Sequence, residues 1–310
     1  MPYSDGAIRL LRPSIKDLPQ LTDRVSFLFL DRVRIEQGRT GLEAWLESPE
    51  KEVKRTAIPV ATLALLALGP GTSISAPAMA MLFRSGTVVI FTGADGMIGY
   101  SSARSLATNG KWAAAQARLW VDQTQRKAIA RRLYLYRFPE QVIPEGVSLD
   151  VLRGLEGQSV KQAYRAIAKA HHVKGFHRVT IGAQDPINIG LNRANSLLYG
   201  VALSVCSALC LNPALGFIHD GAAGALLYDL ADVFKVRISI PVAFDAAEDN
   251  EPMKVLGGLL RKSLHRHKVL DEMFTMTQDL LAEGCNPHDG EDRLLGDDGF
   301  VPGLKNWHLE

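Results

Sequence analysis

The 310-residue chain is short of cysteine, of long apolar runs and of net charge. Its three cysteines, Cys206, Cys210 and Cys285, are too few and odd in number for a disulfide framework, which points to a reducing compartment. Cys206 and Cys210 stand four apart in an apolar run and so share a helix face. No second cysteine pair completes a metal set, and they read as small core side chains. The most apolar stretch, AIPVATLALLALGPG, is too short to cross a bilayer and closes on Gly-Pro-Gly, so no membrane association is expected. The opening MPYSDGAIRLLRPSIKDLPQ lacks the basic, apolar and small-residue succession of a secretion leader. The expectation is a cytoplasmic protein. A formal net charge of +2 does not mark the whole chain as a polyanion binder, and 47% hydrophobic with 22% charged residues excludes a disordered chain.

What is present changes character along the chain. Residues 23–105 are strand-rich. RVSFLFLDRVRIEQ mixes a buried run with alternation, and VATLALLALG and TVVIFTG are short apolar runs bounded by Gly and Pro. SAPAMAMLFRSG, between the last two, starts on a serine cap and ends in Ser-Gly, which predicts one short helix. The glycines of VVIFTGADGMIGY follow a strand, as in a dinucleotide-binding loop, but MIGYSS is not the helix that such a loop needs. GADG is hairpin-turn chemistry, and a hairpin is the expectation. From residue 111 the period becomes helical, in KWAAAQARLWVDQTQRKAIARRLYLYRF, SLDVLRGLEGQSVKQAYRAIAKAHH, NIGLNRANSLLYGVALSVCSALCLNP and EPMKVLGGLLRKSLHRHKVLDEMFTMTQDLLAEG. Strands followed by helices predict an α+β chain, with a small N-terminal β-rich domain and a larger all-helical one. The expected divisions are an extension over 1–22, the β-rich domain over 23–105, the helical domain over 106–282 and a flexible tail over 283–310. The link between the two domains is placed around SARSLATNGK, and the tail is rich in Gly, Pro and acids without periodicity.

The segment GFIHDGAAGALLYDLADVFK puts His219, Asp229 and Asp232 into surroundings that otherwise want to be core. Asp229 and Asp232, three apart, lie on one helix face, and the DGAAG turn lets His219 fold back near the helix start. Ionised carboxylates among Leu and Val cost several kcal/mol unless paired or metal-bound. Two readings stay open here. Histidine with carboxylates is ligand chemistry for Mn²⁺ or Mg²⁺. Alternatively Asp229 caps or pairs with Lys235 or an arginine, and His219 is a hydrogen-bonded core histidine. Glu156 is a third ligand candidate. Gly154 and Gly157 beside it each cost a helix about 1 kcal/mol, a cost that often goes with close approach of a backbone or ligand. A surface glutamate on a loose helix is the other reading. His171, His172 and His177 sit at a helix end and are read as structural.

Basic residues are clustered. Lys111, Arg118, Arg126, Lys127, Arg131, Arg132 and Arg137 face only Asp122, and RKSLHRHK adds Arg261, Lys262, His265, Arg266, His267 and Lys268. Two basic helices beside a candidate metal site point to phosphate-backbone binding, with Arg131, Arg132, Arg261 and Arg266 as candidate DNA contacts.

RGLEG, NRANSLLYGV, LNPALGFIHDG and LLYDLADVFK, in this order and spacing, resemble the CRISPR-associated integrase and endonuclease family (Cas-one, in words). With DRVSFLFLDRVRIE, IPVATLALLALGPGTSIS and the chain length, the resemblance is to the branch of subtype I-E systems and runs from about residue 20 to 282. It implies metal ligands at Glu156, His219 and Asp232, a supporting acidic role for Asp229, and Lys235 near the DNA. Tyr199 and Tyr228 match tyrosines close to the site. Ser73 and Ala76 stand where many relatives carry a basic residue and a histidine. The implied activity is Mg²⁺- or Mn²⁺-dependent insertion of captured DNA into a CRISPR array, the 3′-hydroxyl attacking a phosphodiester. The implied partners are double-stranded and branched DNA, a second copy in a homodimer dimerising through the β-domain, and the small CRISPR-associated adaptation partner (Cas-two, in words) bridging two dimers. A metal-dependent repair nuclease acting on branched DNA and a non-catalytic DNA-binding scaffold remain as alternatives.

Overall fold

The computed structural model describes residues 26–39, 41–47, 53–93, 98–102, 110–138, 143–144, 146–286, 293–296 and 299–302. The expected extension over 1–22 and most of the expected link between domains lie outside the described residues. The architecture is α+β as expected, a strand-rich region followed by helices. In chain order the elements are β1 (Ser26–Leu30), β2 (Arg34–Gln37), β3 (Leu42–Glu47), β4 (Val53–Ile58), β5 (Leu63–Leu68), β6 (Ser73–Ile74), α1 (Ala76–Arg84), β7 (Val88–Thr92) and β8 (Ile98–Ser102). The helices α2 (Lys111–Val121), α3 (Gln123–Arg137), α4 (Leu149–Ala170), α5 (Pro186–Ala208), α6 (Ala225–Lys235), α7 (Ser239–Ala247), α8 (Pro252–Arg266) and α9 (Val269–Leu281) follow, then β9 (Arg293–Gly296) and β10 (Gly299–Pro302).

One sheet has the order β1-β5-β7-β8, the first three strands parallel and β8 antiparallel to β7. The β7–β8 pairing is the expected hairpin, though its turn is outside the described residues. The second sheet has the order β4-β3-β2-β6. Ser75 caps α1, its side chain accepting from the Ala78 amide, and Pro77 occupies the first turn where no amide partner is needed.

The run LALLAL of β5 is buried at all six positions because both faces of its sheet are covered. Strand alternation divides the apolar side chains between two layers. Phe27, Leu65, Ala67, Val88 and Ile90 join the helical core, whereas Leu66, Leu68 and Val89 pack with α1 and the second sheet. The strand-rich region and the helices therefore share a core. Its centre is α5, which is buried along most of its length, as expected of a helix inside a domain. Gly200 lets α5 lie on the sheet, since a Cβ there would stand 2.7 Å from Leu65 Cδ2 and 3.2 Å from Ile90 Cδ1.

Two details depart from the sequence reading. The helical run at 111–138 breaks at Asp122, whose carboxylate accepts the Thr124 and Gln125 amides and caps α3. The tail, expected to lack regular structure, contains an antiparallel β9–β10 pair. Leu294, Leu295, Phe300 and Val301 supply the apolar strand residues on either side of a Gly-Asp-Asp-Gly sequence. Cys206 is buried and its thiol pushed up to about 12 by that burial, in keeping with a packing role. Among the described residues no helix is long and apolar enough to cross a membrane.

Gly200→Val tests the seam between sheet and helix. Overpacking at this contact is expected to cost about 1–3 kcal/mol, read as a lower midpoint in thermal unfolding.

Candidate functional site

The site begins with a loop that cannot be helical. After α5, Leu209 to Gly224 runs without regular structure, and α2 and α3 hold it by hydrogen bonds. Gln116 donates to the carbonyls of Asn212 (2.9 Å) and Leu215 (3.0 Å) and accepts from the Asn212 amide (2.9 Å). Trp120 Nε1 donates to the Gly216 carbonyl at 3.0 Å, and Arg126 reaches the same oxygen at 3.1 Å. At Gly216 a Cβ would lie 2.6 Å from the His219 carbonyl oxygen, so the turn admits only glycine.

Asp229, in α6, closes the turn from the other side. Its carboxylate is fully buried and accepts the amides of Phe217 (2.6 Å), Ile218 (3.0 Å) and His219 (3.0 Å), with His219 Nδ1 at 2.7 Å. Both oxygens of this buried carboxylate are therefore satisfied. The contact also orients the imidazole, so that Nε2 faces Asp232 Oδ2 at 3.9 Å. Tyr228 packs edge-on against His219, and Tyr199 packs edge-on against Tyr228. His219 has its pKa raised, first by the hydrogen bond to Asp229. Burial opposes the rise, and the charges of Asp229 and Asp232 support it.

Asp232 lies one turn further along α6, and Glu156 faces it from α4. Between them stands Arg137, from the last turn of α3, with its side chain only 4% exposed. Its guanidinium ion-pairs with Glu156 Oε1, lies 3.6 Å from Asp232 Oδ2 and donates to the Asp229 carbonyl at 3.5 Å. Lys235 Nζ lies 2.5 Å from Asp232 Oδ1 and donates to the Tyr199 hydroxyl at 2.8 Å. The ammonium thus engages this buried carboxylate oxygen, and Oδ2 is left to face Arg137 and His219. Burial works against the charge of Lys235, but Asp232 and Tyr199 outweigh it and its pKa ends above the ordinary lysine value.

The structure thus brings Glu156, His219, Asp229, Asp232, Lys235, Tyr199 and Tyr228 to one place. Among the described residues no three His, Cys, Asp or Glu side chains are arranged as a closed metal set. The reason is visible: a guanidinium spans the two carboxylates. Two carboxylates and an imidazole are nonetheless the donor types of a Mg²⁺ or Mn²⁺ site. Asp229 is committed to its loop and reaches the site through its direct hold on His219.

Arg137 was legible as one of a basic run but not as a member of the site. The signal is its phase: Ile129, Ala130, Leu133 and Tyr134 form the buried face of α3, and Arg137 continues that stripe. No neighbouring part of the chain approaches the glycines beside Glu156. A Cβ at Gly154 or Gly157 would meet nothing within 4 Å, so no close approach requires them, and nothing in the structure explains them.

The basic clusters divide in use. Arg131 donates to the carbonyls of Val147 (2.7 Å) and Pro144 (2.8 Å), and Arg132 to that of Asp279 (2.8 Å), so both tie α3 to its neighbours. Arg261, Lys262, His265 and Arg266 of α8 are exposed. A further basic wall, not singled out in the sequence, runs along the second half of α4 and the loop after it. Lys161, Arg165, Lys169, Lys174 and Arg178 line a cavity of about 780 Å³ with Tyr164 and Phe176. His171, expected to be structural, lies 2.7 Å from Glu248 and 3.5 Å from Asp245 and clasps α4 to the end of α7.

A sequence profile of the family described as CRISPR associated protein Cas1 matches residues 139–253, which include Glu156, His219 and Asp232. The CRISPR-associated endonuclease Cas1 of Clostridium sp. SY8519 is 31% identical over 85% of this chain and 87% of its own length. The CRISPR-associated endonuclease Cas1 2 of Thermus thermophilus is 32% identical over 96% of this chain and 90% of its own. The crystal structure of a TtCas1–DNA complex superposes with a TM-score of 0.76 at 30% identity, covering 91% of this chain and all of that one.

The His219–Asp229 pair has a pH signature. A histidine pKa raised in the fold stabilises fully below the unfolded value of about 6.5 and loses that contribution as pH rises through the folded value. Thermal midpoints measured across this range should fall with rising pH, and Asp229→Asn, which removes the charge facing the imidazolium, should flatten the fall.

Proposed function

Because the chain belongs to the Cas1 family of CRISPR-associated endonucleases, we propose that it is a DNA integrase of the subtype I-E branch that inserts captured DNA into a CRISPR array. In this reading the 3′-hydroxyl of the incoming strand attacks a phosphodiester of the repeat, and the displaced 3′-oxygen leaves with the proton equivalent that the attacking hydroxyl gives up. One phosphodiester is made as one is broken, so no nucleotide is consumed. The observation that carries the reading is the meeting of His219 from the loop and Asp232 from α6 with Glu156 from α4, the helix whose second half walls a basic cavity.

Glu156, His219 and Asp232 would hold the ion, Mg²⁺ or Mn²⁺. A divalent ion there polarises the phosphate and offsets charge on the attacking and leaving oxygens. Asp229 keeps Nδ1 of His219 engaged, which leaves Nε2 turned toward Asp232. Lys235, held by Tyr199, fixes one oxygen of Asp232 and places a positive charge where a phosphate would sit. The cations of the α4 wall would track the phosphate backbone, with Tyr164 and Phe176 offering faces on which unpaired bases stack. Arg261 and Arg266 remain available as backbone contacts on α8, whereas Arg131 and Arg132 spend their donors on carbonyls. A homodimer and a bridging adaptation partner, Cas-two, complete the proposal on the strength of family membership.

The test is strand transfer on a branched DNA that mimics the integration product, with Mn²⁺ or Mg²⁺. Wild type should religate the target strand, and Asp232→Asn, shown to be folded, should lose at least about a hundredfold in rate, more than the loss of a supporting contact around a ligand. Equal activity in the two proteins removes Asp232 from the chemistry. Cleavage that needs no 3′-hydroxyl would favour the repair nuclease, and binding without any reaction the scaffold.

DNA affinity offers a separate check. Lys169→Glu with Lys174→Glu should weaken binding uniformly across sequences and lower the slope of log K against log salt by about 0.7–0.9 for each phosphate no longer neutralised.

A further inference from the structure

The carboxylates of the site already face a cation of the chain's own. We propose that Arg137 is the resident counter-cation of Glu156 and Asp232, that it competes with a divalent ion for them, and that it thereby sets how tightly the ion binds. This rests on the reading that Glu156, His219 and Asp232 form the ion site.

Geometry argues for competition rather than for a lasting brace. The guanidinium touches Glu156 Oε1 and approaches Asp232 Oδ2, and that same Oδ2 is the oxygen facing His219 Nε2. An ion shared by Glu156, Asp232 and His219 needs the space that the guanidinium spans. Arg137 is also poorly satisfied where it stands, since Nε is buried without a hydrogen-bond partner and the contact to the Asp229 carbonyl is 3.5 Å long. A buried guanidinium with an idle donor is held by charge more than by fit.

There is room for it to withdraw. Arg137 also lines a cavity of about 580 Å³ with Arg132, Tyr136, Val233, Val236, Arg237 and Glu272. Glu272, now paired with Arg237 at 2.5 Å, puts a carboxylate at that wall. A guanidinium leaving the site would share that carboxylate with Arg237 and lie beside the Tyr136 ring, with Arg132 at the same wall. Lys235 stays behind on Asp232 Oδ1, so the exchange moves one cation and not two.

The test is Mn²⁺ titration of wild type, Arg137→Gln and Arg137→Lys, read by thermal unfolding and by the loss of the free-ion signal in Mn²⁺ electron paramagnetic resonance. Without ion, Arg137→Gln should melt below wild type. It should reach half-saturation at about tenfold lower Mn²⁺, the scale of one charge-assisted contact withdrawn from competition, with Arg137→Lys between the two. A merely structural arginine would lower the melting point and leave the Mn²⁺ midpoint where it was. An unchanged or higher midpoint in both variants overturns the proposal while leaving the metal site intact. Arg137→Lys keeps the charge and serves alone if Arg137→Gln does not fold. Absence of any Mn²⁺ binding that Asp232→Asn abolishes, in wild type and variants alike, overturns the metal site and the counter-cation with it.

Discussion

Asp229 is a carboxylate with no exposed surface, and the fold tolerates it because three consecutive amides and an imidazole converge on its two oxygens. Removing such a carboxylate strands several buried donors at once, each costing about 1–3 kcal/mol. The same bonds decide the path of the chain from Phe217 to His219 and which ring nitrogen of His219 faces the site. The loop has no secondary structure of its own to set that path. Gln116, Trp120 and Arg126 hold its first half, and Asp229 holds its second. Everything the site does with His219 depends on this arrangement.

The charges around it are graded by commitment. Asp229 is bound to backbone, Asp232 shares itself between Lys235 and Arg137, and Glu156 pairs with Arg137. Two cations supplied by α3 and α6, Arg137 and Lys235, stand among these carboxylates.

The strand-then-helix order was legible because period and punctuation agree: LALLAL between Pro and Gly, a serine before APAMAM, a long apolar face in NIGLNRANSLLYG. The meeting of His219 with Asp229 was legible too, since glycines and alanines leave only a short turn between them. The family resemblance supplied the rest of the ligand set. What local pattern could not show was which arginines are structural. Arg131, Arg132 and Arg137 look alike in RRLYLYR, yet two brace carbonyls and one enters the acidic cluster. The difference lies in the position of α4 and α9, which is a long-range fact. Helix α7 was hidden for another reason. VRISIPVAF has β-branched residues and a proline and reads locally as extended, but burial of Ile240, Ala243 and Phe244 against α4 and α5 overrides that preference. The glycines beside Glu156 mislead because a cost in helix propensity need not signal close contact.

The contact of Gly200 with Leu65 and Ile90 has a mechanical consequence. A seam packed this closely, with apolar side chains of β1, β5 and β7 set into α5, cannot act as a hinge between the strand-rich and helical parts. A long nucleic acid could not be admitted by the two parts swinging open. Movement near the site would fall instead to side chains and to the exposed loop after α4, while the scaffold beneath stays rigid.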